Sequence, residues 1–200
     1  DNVFKLIDNQ NREIFNTAAE SIGLLSVGSV NTILPRVLKE AMKTTDSSVW
    51  ILAILSMTKR LSTIDNDKLK LKGNEFETIS EFLVKNADYS NPTEKSIAES
   101  FYYMIKIKPQ EYIKKLINVS KSNKLGGPVA THGISLFYEN KAASDDPLLL
   151  FNFIDEIMNS IDMKNPRTSE YLMLCLKICL QIIQQKQNQR SQQRHPAMAQ

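Results

Sequence analysis

Apolar residues recur at three- and four-residue spacing along almost the whole chain, and this regularity restricts the fold more than any other feature. Ile14, Phe15, Ala18, Ala19, Ile22 and Leu25 form one stripe and predict a helix over 12–26. Ile33, Leu34, Val37, Leu38, Ala41 and Met42 predict another over 30–43, with Pro35 tolerated in its first turn. Val49, Leu52, Ala53, Met57 and Leu61 predict a third over 47–63, with Asp46, Ser47 and Ser48 as cap candidates. The same spacing predicts helices over 75–87, 92–107, 109–122, from the Gly126, Gly127, Pro128 break to 141, over 145–161 and over 166–186. Pro92, Pro109 and Pro166 stand where a helix accepts proline, at its first position. No segment alternates apolar and polar residues between turn dipeptides, so no strand is predicted. The expected class is all-α, and six glycines in 200 residues agree with long helices joined by tight turns.

Composition narrows the function classes. With 42% hydrophobic and 24% charged residues the chain can bury a core. No apolar run is long enough to span a bilayer, and no signal segment opens the chain. Opening on Asp1 rather than Met, it reads as a fragment of a longer polypeptide. Cys175 and Cys179 lie four apart in an apolar helical stretch, a poor geometry for a disulfide. They read as reduced thiols in a cytoplasmic or nuclear protein. The net charge is +3, and its excess lies in the second half, where residues 101–150 hold seven basic and four acidic groups.

The helix starts repeat. First helices of each pair begin near 30, 75, 109 and 146, and second helices near 47, 92, 128 and 166, a period of about 34 to 45 residues. Within one unit, Ile33, Leu34, Pro35, Val37 and Leu38 are followed by Asp46, Val49, Leu52, Ala53, Ile54, Leu55 and Met57. This run resembles a HEAT repeat, whose first helix carries an early proline and whose second follows a turn aspartate. Ala18 to Leu25, with Gly23, is similar to the second helix of a preceding unit. Trp50 stands where that family usually has a basic residue, and the later units share its spacing, with Ile97, Ala98 and Ala130 in the small-residue region. The resemblance implies a right-handed α-solenoid of about four hairpins plus a preceding helix over 1–186, with a compact helical bundle as the alternative. The helix over 47–63 is apolar nearly all round and needs cover on several sides, which stacked hairpins supply.

The seven glutamines from Gln184 to Gln200 predict a fraying helix end and a disordered tail over 187–200. No phosphate-binding glycine loop or metal-ligand spacing is present, so no cofactor, metal or catalysis is expected. An enzyme would have to centre on His132, in a pocket joining it to acidic or thiol groups. The scaffold that the resemblance implies binds protein partners within a larger assembly. Two candidate surfaces are visible. Leu176 and Ile183 lie on a final helix with only a narrow polar arc, although a terminal repeat should present a polar outer face. Lys106, Lys108, Lys114, Lys115, Lys121 and Lys124 form a basic stretch against Glu111 alone. With Tyr102, Tyr103 and Tyr112 nearby, that stretch carries the alternative reading of a nucleic-acid-associated helical repeat, although Tyr102 and Tyr112 belong to the apolar stripes.

Overall fold

The computed structural model describes residues 2–6, 11–28, 30–41, 43, 46–64, 73–87, 92–120, 126–140, 149, 152, 158–159 and 164–194. Among these residues the chain forms nine α-helices and no strand. In chain order they are α1 (Asn2–Lys5), α2 (Arg12–Gly28), α3 (Val30–Ala41), α4 (Ser48–Leu61) and α5 (Gly73–Lys85). After them come α6 (Pro92–Ile107), α7 (Pro109–Ser120), α8 (Gly126–Glu139) and α9 (Pro166–Arg194). The all-α class therefore holds.

Local chemistry sets the helix starts. Three helices begin with the same device, an Asn or Asp accepting from a backbone N–H two residues on. Asn11 Oδ1 accepts from Glu13 at 2.9 Å, Asp46 Oδ1 from Ser48 at 2.9 Å, and Asn165 Oδ1 from Arg167 at 3.0 Å. Pro92, Pro109 and Pro166 occupy first helical positions, as predicted. Pro35 differs: it lies beyond the first turn of α3, inside the helix, where it removes a hydrogen-bond donor. The last helix also differs from its predicted end near 186, because it runs on to Arg194. Gln, Lys and Arg are strong helix formers and sustain it there. Residues 195–200 lie outside the described residues, as does most of the helix predicted over 145–161.

Packing follows a simple order. Helix α2 packs on α4, α4 on α6, α6 on α8, and α8 on α9, so these five helices join one row. Helices α3, α5 and α7 lie against this row, and α5 also packs on α7. Helix α4, apolar nearly all round, buries Val49, Trp50, Ile51, Ala53, Ile54, Met57 and Leu61. Contacts with α2, α3 and α6 cover it from several sides. Trp50 is buried with the Phe4 ring 6.1 Å away, and Phe4 in turn lies under the Arg36 guanidinium at 4.3 Å.

Two glycines make close helix crossings possible. A Cβ on Gly23 would fall within contact distance of the Ala53 carbonyl oxygen, 2.7 Å from Ser56 Cβ and 3.0 Å from Met57 N. A Cβ on Gly133 would lie 2.7 Å from Phe101 Cβ and 3.2 Å from the Ala98 carbonyl oxygen. The α2–α4 and α6–α8 contacts thus depend on a missing side chain. Three buried hydroxyls on these helices bond to their own backbone: Ser26 Oγ donates to the Ile22 carbonyl at 2.7 Å, Thr58 Oγ1 to Ile54 at 2.9 Å, and Thr131 Oγ1 to Gly127 at 3.0 Å. Between α5 and α7, Phe76 stacks on Tyr112 with ring centroids 4.3 Å apart.

Candidate functional site

The basic stretch is partly neutralised by its own acid. Lys108 Nζ, just before α7, lies 3.4 Å and Lys115 Nζ, within it, 3.2 Å from opposite oxygens of Glu111. Burial pushes the Glu111 carboxyl up, but the bonds from Lys115 and Lys108 outweigh it and hold the group below its ordinary range. Lys106 sits 5.7 Å from the centre of the Tyr102 ring. Lys114 is exposed, and it has no ion-pair partner among the described residues. Lys121 and Lys124 lie outside them. Of the aromatic residues, Tyr112 is wholly buried against Phe76, whereas Tyr102 is half-buried beside Tyr103.

A polar cluster that the spacing did not reveal ties three helices together. Glu94 lies in the first turn of α6, His132 in α8, and Arg167 and Tyr171 one turn apart in α9. Arg167 Nη1 donates to Glu94 Oε2 at 2.7 Å. The His132 ring lies flat on Tyr171, with centroids 4.3 Å apart and planes 5° from parallel. Between these contacts, Glu94 Oε1 and His132 Nδ1 face each other at 3.6 Å, both buried and too far apart for a hydrogen bond. His132 thus has an acidic neighbour, as a site centred on it would require. Its ring face, however, is covered by tyrosine and the carboxylate is held by arginine. The sequence signals for this cluster are faint: Pro92 and Pro166 align the two helix starts, but nothing links either to position 132.

Burial holds His132 below its ordinary value of 6.5, and the charges of Glu94, Glu139 and Glu99 pull it only part of the way back. The folded chain therefore binds this proton less readily than the unfolded chain. The stability this contributes is present above about pH 6.5 and is lost as pH falls through the histidine range. Thermal midpoints measured across that range should fall on acidification. His132→Gln should flatten the dependence; an unchanged slope would show that other groups cause it.

The cysteine thiols are buried. Burial pushes Cys175 far up and Cys179 up to about 11, so neither is a thiolate at neutral pH. Among the described residues, no three His, Cys, Asp or Glu side chains converge as a metal site would need. Nor is any helix among them long and apolar enough to cross a membrane.

Two surface hollows stand out among the described residues. One, of about 520 Å³, lies between α3 and α5, with Leu34, Pro35 and Leu38 as its apolar floor and Lys39, Lys43, Glu75 and Thr78 at its rim. Lys43 pairs with Glu40 at 2.9 Å, whereas Lys39 has no ion-pair partner among the described residues. The other, of about 660 Å³, runs along α9 past Met173, Leu176 and Leu180. Leu176 and Ile183, singled out from the sequence, are half-buried at the edge of this face; Met173 and Leu180 stand 65% and 60% exposed. Compared with family models, curated proteins and solved structures, the chain finds no significant match.

Proposed function

We propose that the chain is a right-handed, HEAT-type α-solenoid segment acting as a non-catalytic scaffold for protein partners in the cytoplasm or nucleus. The observation that carries this reading is the single row of helices α2, α4, α6, α8 and α9, flanked by α3, α5 and α7. Each helix of such a row leans on the next helix in it, which is how stacked hairpins share one continuous core. The row leaves apolar side chains outside at both ends, Leu24 and Leu25 on α2 and Met173 and Leu180 on α9. The hollow between α3 and α5 offers the partner surface, with an apolar floor and the Lys39 ammonium at its rim. Its fitting occupant is a short apolar segment carrying an acidic residue.

Affinity capture with amine-reactive crosslinking tests the reading. Crosslinks should concentrate on Lys39 and Lys43 with one protein partner, and Pro35→Glu should abolish them while the helical content stays unchanged. Crosslinks scattered over exposed lysines without an enriched partner would overturn it. Lys108 and Lys115 already share Glu111, which weakens the nucleic-acid alternative. Capture of a nucleic acid, released steeply by salt and lost on substitution of Lys106 and Lys114, would restore that alternative.

A further inference from the structure

Three buried polar atoms where α9 begins have no hydrogen-bond partner among the described residues: Glu94 Oε1, His132 Nδ1 and Thr168 Oγ1. Packed interiors rarely leave such atoms unmet. Glu94 Oε1 and His132 Nδ1 face each other at 3.6 Å, a gap that one proton on the imidazole would turn into an ion pair. The docked joint resists that proton. The ring lies flat on Tyr171, and the carboxylate already holds Arg167 through its other oxygen. A charged imidazole would sit out of water under an aromatic ring, sharing one carboxylate with the Arg167 guanidinium. The other charges that bear on it most are Glu99 of α6 and Glu139 of α8 itself, and burial outweighs their help.

Of the three helices that meet here, α9 is the one able to yield. Helices α6 and α8 are locked together at the Gly133 crossing, where backbone lies against Phe101 and the Ala98 carbonyl. Helix α9 contributes Tyr171 and Arg167, and the Arg167 side chain is already 48% exposed, so it can leave Glu94 at small cost. The geometry points to a proton-operated release of α9: on acidification Glu94 exchanges Arg167 for the protonated His132, and the start of α9 lifts from α8. In the docked form the carboxylate ties α6 to α9. In the released form it ties α6 to α8, and water reaches both the imidazole and Thr168. Cys175 lies one turn beyond Tyr171 on the buried side, so it is the first thiol uncovered. This is a local opening, with the rest of the row still folded. It is independent of the partner surface between α3 and α5.

The chain carries separate probes for the two parts. Both of its cysteines lie on α9, and its single tryptophan, Trp50, is buried in α4. Thiol labelling with dithiodipyridine is followed from about pH 7.5 to about pH 5, across the histidine range. Each rate is divided by that of the urea-unfolded chain at the same pH, which removes the intrinsic pH dependence of the thiol. One proton taken up on release should raise this ratio by up to about tenfold per pH unit below about pH 6.5. Cys175 should react before Cys179, with Trp50 emission still native. The ratio should level off where the His132 ring itself titrates by NMR, a comparison that needs no variant. His132→Gln, folded by circular dichroism, should hold the ratio flat. A flat ratio in the unsubstituted chain, a rise only alongside loss of native Trp50 emission, a rise that begins after the ring is fully protonated, or one that persists in folded His132→Gln would each overturn the inference.

Discussion

Replacing Gly23 with valine should lower the stability of the fold by about 3 kcal/mol, read as a fall of roughly 10 °C in Tm. The reason lies in what the new Cβ meets. Its neighbours are the Ala53 carbonyl oxygen and the Met57 amide nitrogen, both backbone atoms of α4, with Ser56 Cβ 2.7 Å away. A flexible side chain could rotate out of the way; a helix backbone cannot. The two helices must separate, and the apolar side chains around the crossing, Ile22 and Ile54 among them, lose contact. Two other glycines provide the controls. At Gly126 the nearest atom is Val84 Cγ1, part of a side chain that can adjust, so Gly126→Ala should cost clearly less. At Gly28 nothing lies within 4 Å, and Gly28→Ala should gain up to about 1 kcal/mol from helix propensity alone. Equal losses at all three positions would refute the close-crossing account, because a general cost of removing helical glycines predicts no such order.

Phe76→Ala should cost about 3–5 kcal/mol, a comparable or larger loss by the opposite route. Phe76 is wholly buried and its ring stacks on Tyr112, 4.3 Å away at 26°, joining α5 to α7. Truncation removes the ring's transfer energy, opens a cavity and leaves one face of Tyr112 without a partner. The same burial pushes the Tyr112 hydroxyl up to about 12. Phe76→Leu keeps most of the apolar volume and should recover a large part of the loss. Urea unfolding monitored by circular dichroism checks both variants. A Phe76→Ala midpoint within error of the unsubstituted chain would mean that α5 and α7 are not held through this pair.

The helices were legible before any coordinates because their causes are local. Apolar spacing, first-position prolines and the short polar side chains of Asn11, Asp46 and Asn165 all act within a few residues of the positions they govern. The extended end of α9 was misread for a related reason: glutamine-rich composition suggests disorder, yet Gln, Lys and Arg also propagate a helix already begun. Glu111 was visible as the lone acid among six lysines, and its helical spacing from Lys108 and Lys115 accounts for both ion pairs. The Glu94–His132–Arg167 contacts had no comparable signal. Their members come from three helices, and no rule of spacing along the chain governs which helix starts meet.

The sequence by itself determined that this chain is helical, where most of its helices begin, and that α4 had to be covered on several sides. These properties follow from backbone hydrogen bonding and from the three- to four-residue repeat of apolar side chains, which are counted along the chain. Only the tertiary structure decided which side of α9 faces inward, why Gly23 and Gly133 have no side chain, and where the Glu94 carboxylate finds its arginine. Each of those depends on what a neighbouring helix presents at the point of contact. That is set by packing across tens of residues, where the local periodicity carries no information.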